Sequence, residues 1–144
     1  MSQYQWNWSV VLEQVSGTEE FYYQWLLSGL GWSPLNLAAL GADCGISAVT
    51  AREWLSVLEA SYLVCRLPPY FQNFGKRLVK SPKLYFLDVG LMAWLLGIRD
   101  EAAMATHAAR GALFETWVVG ELVKQRFNAG QPADVYFWRD SSGN

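Results

Sequence analysis

Between Ala60 and Leu87 the chain carries no Asp or Glu, yet Arg66, Lys76, Arg77, Lys80 and Lys83 all fall there. Five cations in an acid-free stretch are suited to a polyanion, and phosphate contacts of this kind position a protein on nucleic acid without reading its sequence. The clustering counts for more than the total, because the whole chain of 144 residues has a net charge of −2. Lysines also guard exposed strands against pairing with other chains, so a solvated strand edge uses the same residues.

Other chemistries lack their parts. His107 is the sole histidine, which leaves too few groups for a His-dependent triad or a histidine metal cluster, and it reads as a surface or helix-cap residue. Cys44 and Cys65 stand apart without CxxC spacing, as buried thiols do in a reduced, cytoplasmic protein. No GxxxxGKS or GxxxxGKT occurs, and GLGWSP has no lysine to reach a phosphate, so ATP binding is not expected. The N-terminus lacks the basic and apolar regions of a signal peptide, and no apolar run is long enough to predict a membrane span. With 52% hydrophobic and 17% charged residues the chain can bury a core. Eight Trp in so short a chain place some rings at the surface, which points towards self-association.

The elements that must position the cations can be read around them. Ser47 is placed to cap a helix over Ala48–Ala60, in which Ala51, Leu55, Leu58 and Tyr62 make one apolar stripe. Ala48, Thr50, Arg52, Glu53 and Ser56 then face outward. A shorter helix around Leu37, Ala38 and Leu40 precedes it, with Gly41 or Gly45 and Ile46 at the turn. After Ala60, two runs rich in Tyr, Phe and Val predict a hairpin whose loop carries Lys76 and Arg77 beside Gly75. Helix, turn, helix and hairpin in that order spell a winged helix-turn-helix, with Ser47, Thr50 and Arg52 presented to a groove and Lys76, Arg77, Lys80 and Lys83 to the phosphate backbone of double-stranded DNA.

The flanks extend this frame. Ser16 or Thr18, followed by Glu19 and Glu20, starts a first helix that Gly29, Gly31 and Pro34 end. Asp88 is placed to cap a helix containing Leu91, Met92, Trp94, Leu95 and Leu96, closed by Gly97. Arg99 to Thr106 reads as a connecting loop or a short helix. A helix over Ala112–Phe127 is apolar nearly all round and is expected to be buried on more than one side. Val135–Arg139 reads as a strand leading into a turn at Asp140–Asn144. The fold class is therefore mainly α with a small β-hairpin, an α+β protein. Residues 1–30 form an N-terminal segment and first helix, 31–98 the winged helix-turn-helix, and 99–144 the opening helix and strand of an incomplete further domain.

The runs SPKLYFLDVGL, LFETWVVGEL and YFWRDSSGN resemble the C-terminal region of a widespread family of predicted bacterial and archaeal AAA+ ATPases, over about Leu35 to Asn144. In that family a P-loop ATPase domain is followed by a winged helix and a domain of unknown function similar to restriction-endonuclease-like nucleases. The resemblance places Glu115 as the helix glutamate of a nuclease metal site, but the later acidic segment and Glu-x-Lys pair have no counterpart here. Clustered carboxylates are needed to hold Mg²⁺, so Glu115 is expected to be a vestigial or incomplete metal-site candidate, paired with Arg110 or Arg139 instead. No catalytic residue and no metal ligand set is expected, and ATP and Mg²⁺ are implied only for domains this sequence lacks. The resulting expectation is a non-catalytic, truncated fragment that binds nucleic acid or regulates the missing ATPase domain. Its alternative is a protein-interaction module that contacts that domain or another copy of itself.

Overall fold

In a computed structural model the described residues are 34–70 and 81–138. They contain five helices and two strands: α1 (Leu37–Asp43), α2 (Ala48–Ala60), β1 (Val64–Leu67), β2 (Lys83–Phe86), α3 (Val89–Leu95), α4 (Glu101–Thr106) and α5 (Arg110–Asn128). The mixed α+β class is as the sequence predicts. The first helix expected around residues 16–28 lies outside the described residues, as do Lys76, Arg77, Lys80 and Arg139.

Each helix start is set by a side-chain cap except that of α5. Asn36 Oδ1 accepts from the Ala38 and Ala39 amides, both at 3.1 Å, and Ser47 Oγ accepts from the Thr50 amide at 3.0 Å. Asp88 and Asp100 do the same for α3 and α4, at 3.0 and 2.8 Å. Such caps satisfy backbone donors that a helix start leaves unpaired. Gly41, buried within α1, lets the two helices of the pair meet closely. A Cβ there would stand 2.8 Å from the Ile46 carbonyl oxygen. Gly45, with φ of +67°, makes the turn between them.

The apolar stripe on α2 is buried at Ala51, Leu55 and Leu58. Tyr62 departs from the sequence reading, because it does not continue that stripe. The helix ends at Ala60 in a Schellman arrangement: the Tyr62 amide donates to Glu59 O and the Leu63 amide to Leu58 O, both at 3.0 Å. This places Tyr62 in the left-handed region, at φ 57°, and turns its ring out to 73% exposure. The turn aims Leu63 and Val64 back into the core.

β1 and β2 pair antiparallel, Val64 opposite Phe86 and Leu67 opposite Lys83. The alternation along β2 divides the interior in two. Leu84 and Phe86 join Leu55, Leu58, Leu91, Met92, Ala112 and Leu113 in one cluster, while Tyr85 joins Leu67, Val119, Val123 and Phe137 in another. β2 is therefore covered on both faces. α5 reaches both clusters, and at Gly120 its backbone faces the end of the hairpin, where a Cβ would be in ordinary contact with the Leu87 carbonyl oxygen at 3.4 Å.

Two further expectations are corrected. α5 is buried along one face only, at Ala112, Leu113, Thr116, Val119, Gly120 and Val123. Its second apolar row, Phe114, Trp117, Val118 and Leu122, is exposed. The approach to Phe137 is not a regular strand among the described residues. Bonds from the Asp134 amide to Pro132 O and from the Val135 amide to Ala133 O fold the chain on itself, and Phe137 makes a single parallel bridge to Pro69.

Tyr62 carries strain that glycine would not, since a left-handed L-residue costs roughly 1–2 kcal/mol, offset in part by the greater freedom of glycine when unfolded. Tyr62→Gly is expected to raise the unfolding free energy by about 0.5–1 kcal/mol in urea titration. An equal loss of stability would mean that the exposed ring contributes packing that outweighs the backbone.

Candidate nucleic-acid interface

The residues read from sequence as an interface occupy two places. At the start of α2, Ser47 is exposed and Thr50 half-buried, and their hydroxyls lie 2.9 Å apart while Ser47 also holds the cap. Arg52 is exposed beside them, with Glu53 next to it and Val49 at 60% exposure. The Ser56 hydroxyl donates to the Arg52 carbonyl at 3.0 Å. This outer face is therefore mixed, with one cation, one carboxylate and small polar groups.

The second place is the hairpin. Arg66 on β1 forks onto Glu59 of α2, its Nε 2.7 Å from Oε1 and its terminal nitrogen on Oε2. The bond to Glu59 raises the pKa of Arg66; burial opposes it, and the Glu59 charge adds a lesser push upward. Lys83, the first residue of β2, extends its Nζ to Glu115 Oε1 on α5 at 3.0 Å, and lies 5.5 Å from the centre of the Phe137 ring. Two of the five clustered cations thus already have carboxylate partners.

Glu115 also accepts from the Tyr85 hydroxyl at 2.5 Å, on the same oxygen that meets Lys83. Lys83 and Tyr85 are two apart on one strand, so both side chains point to the α5 face. Tyr85 has no exposed surface, and burial first, then its bond to Glu115, holds its proton far above the usual phenol range. Sequence reading missed this trio because its members are 30 and 32 residues apart. The period-two placement of Lys83 and Tyr85 was the available signal.

The expected partner of Glu115 was Arg110 or Arg139, and the geometry corrects the first. Five residues apart on a helix, Arg110 and Glu115 point in different directions. The Arg110 guanidinium instead donates to the Ala105 carbonyl at 3.1 Å. Nor do the surroundings of Glu115 fit a divalent metal ion. One carboxylate meets an ammonium and a phenol, and no group of three or more His, Cys, Asp or Glu side chains assembles among the described residues.

Of the remaining candidates, His107 is the C-cap residue of α4, its backbone amide donating to the Met104 carbonyl, and its Nδ1 accepts from the Ala109 amide at 3.1 Å in the turn to α5. Cys44 and Cys65 are half-buried thiols. Cys65 lies in an open groove of about 230 Å³ whose lining includes Leu67, Leu87, Val123 and Val135 together with Glu59 and Arg66. No helix among the described residues is long and apolar enough to cross a membrane.

Residues 19–102 match the family described as Domain of unknown function (DUF8612), which is more than half of the chain. The chain belongs to that family. The DUF8612 match runs through α1, α2, the hairpin and α3, while residues 110–144, with α5, match a second family, Domain of unknown function (DUF4143). An uncharacterized protein of Mycobacterium tuberculosis and one of Mycobacterium bovis are each 36% identical over 102 residues, covering 71% of this chain and 22% of theirs. The chain thus spans about a fifth of the length of these relatives. No solved structure matches. In this DUF8612 chain the Lys83–Glu115 pair ties together the segments matched by the two families.

Burial, with a smaller push from Glu59, raises the Cys65 thiol from 9.0 to about 11. A thiol with a raised folded pKa contributes stability that is complete below the unfolded value and lost as pH rises towards the folded one, here from about 9 to about 11. In a Cys44→Ala variant, iodoacetamide should therefore capture Cys65 slowly at pH 8, at a rate still climbing beyond pH 10. A rate that levels off near pH 9 would show an ordinary, accessible thiol.

Proposed function

We propose that this chain is a non-catalytic winged-helix module that binds double-stranded DNA through its phosphate backbone. The observation that carries this reading is the order of elements: a tight helix pair with the outer start of α2 exposed, followed directly by a hairpin in an acid-free stretch. In a winged helix the second helix of the pair enters the major groove and the hairpin lies against the adjoining backbone. Ser47, Thr50 and Arg52 stand at the groove on this reading, and Lys76, Arg77 and Lys80 contact phosphates. The resemblance to the C-terminal region of predicted AAA+ ATPases adds a role for the module in coupling DNA to an ATPase domain carried elsewhere. By the same resemblance, α5 and the residues after it correspond to the start of a nuclease-like domain without its metal site.

A second reading, assembly with an ATPase domain or another copy of the chain, is favoured by one distinct observation. Phe114, Trp117, Val118 and Leu122 form an exposed apolar row on α5, and Tyr70, Tyr136 and Trp138 gather at the Phe137 bridge, with the Tyr70 ring centre 5.9 Å from each of the other two. Large exposed apolar patches commonly mark protein interfaces.

Arg66 and Lys83 are held by carboxylates, and on this reading Arg52, Lys76, Arg77 and Lys80 are the phosphate contacts. Fluorescence anisotropy on a random duplex should then give a log–log salt slope of roughly −3.6, at about −0.9 per phosphate. The slope should fall by about half in Lys76→Glu/Arg77→Glu, and the duplex should stay intact with Mg²⁺ present. Absence of binding at low salt would reject the DNA reading in favour of assembly, and Mg²⁺-dependent cleavage abolished by Glu115→Ala would reject the non-catalytic one.

A further inference from the structure

Lys83 is a cation at the root of the hairpin loop whose charge is turned inward. Its Nζ is 3.0 Å from Glu115 Oε1, its side chain is only 16% exposed, and the Phe137 ring lies beneath the ammonium. The same Glu115 oxygen also accepts from the buried Tyr85 hydroxyl, which holds it for this contact. The carboxylate is on α5 and both of its partners are on β2, so the pair spans the junction between hairpin and helix. With its side chain turned to Glu115 and largely buried, Lys83 must leave this contact to extend its ammonium to a solvent-side phosphate.

We infer that Glu115 acts as an autoinhibitory contact, withholding Lys83 from the DNA backbone until the Lys83–Glu115 pair opens. The inference rests on the DNA-binding reading and adds a regulatory element to it. Glu115 competes with phosphate for one ammonium, so any event that draws the start of α5 away from β2 adds a cation to the interface. By reciprocity, DNA that captures Lys83 weakens the hold of the hairpin on α5. Tyr85 is a positioning residue in this device, because it orients the Glu115 carboxylate without facing the phosphate itself.

The test measures duplex affinity against salt for the full chain and for Glu115→Gln, with Glu101→Gln as the control for an equal change of charge on an exposed helix residue. Gln keeps an oxygen that the Tyr85 hydroxyl can reach but gives up the ion pair, and thermal melts check that each variant folds. Glu115→Gln should bind severalfold more tightly than Glu101→Gln and steepen the salt slope by roughly 0.9, one further phosphate. The added slope should vanish in Lys83→Met/Glu115→Gln. Hydrogen exchange in α5 of the unaltered chain should also quicken when duplex is added. Binding of the duplex with the same slope in Glu115→Gln and Glu101→Gln, and no change in α5 exchange, would overturn the autoinhibitory contact while leaving DNA binding in place. Binding by none of the proteins would overturn the DNA reading and this inference with it. Binding by Glu115→Gln alone would support both.

Discussion

The structure depends on the close approach of α5 to β2. At Gly120 the helix backbone faces the Leu87 carbonyl, and along the same helix Val119 and Val123 close over Tyr85 while Ala112 and Leu113 reach the other cluster. A two-stranded hairpin has little stability by itself in water. Here β2 is covered on both faces, by the helix pair, α3 and the start of α5 on one side and by the middle of α5 with Phe137 on the other. The burial of Leu84, Tyr85 and Phe86 in succession follows from that arrangement.

The same approach fixes the electrostatics. Tyr85 can be buried in full because its hydroxyl finds Glu115, and a buried phenol without a partner is costly. Glu115 in turn draws Lys83 inward, while Glu59 holds Arg66 at the other strand. The hairpin is thus less cationic at its base than its sequence suggests. Thr116, beside Glu115 in sequence, is the one described residue with a buried side-chain oxygen lacking a hydrogen-bond partner, so the α5 face is not polar-matched throughout.

How much of this was legible in the sequence depended on range. Ser47, Asp88 and the Ala51–Leu55–Leu58 stripe are local signals, and α2 and α3 form where those signals place them. Tyr62 was misread because its spacing fits the stripe, while the left-handed turn that ends the helix carries no glycine to announce it. α5 was misread because its two apolar faces look alike in sequence, and only the position of the hairpin decides that Val119 is buried and Trp117 exposed. At 133–137 the β-forming residues Val135, Tyr136 and Phe137 suggested a strand, but turns around Asp134 and Val135 leave one bridge. Around the candidate site, the Ser47 cap that starts α2 is legible in the sequence, whereas the partners of Arg66, Lys83 and Glu115 depend on tertiary packing that one sequence does not display.

The central claim is that the DUF8612-matched hairpin and the DUF4143-matched helix form one cooperative unit. Native-state hydrogen exchange on the full chain tests it most directly. The account predicts that amides of β1, β2 and the Ala112–Val123 stretch of α5 open with one shared free energy and the same dependence on denaturant. Exchange of α5 at the rate of an isolated helix, beside a hairpin and α2 that remain protected, would contradict it.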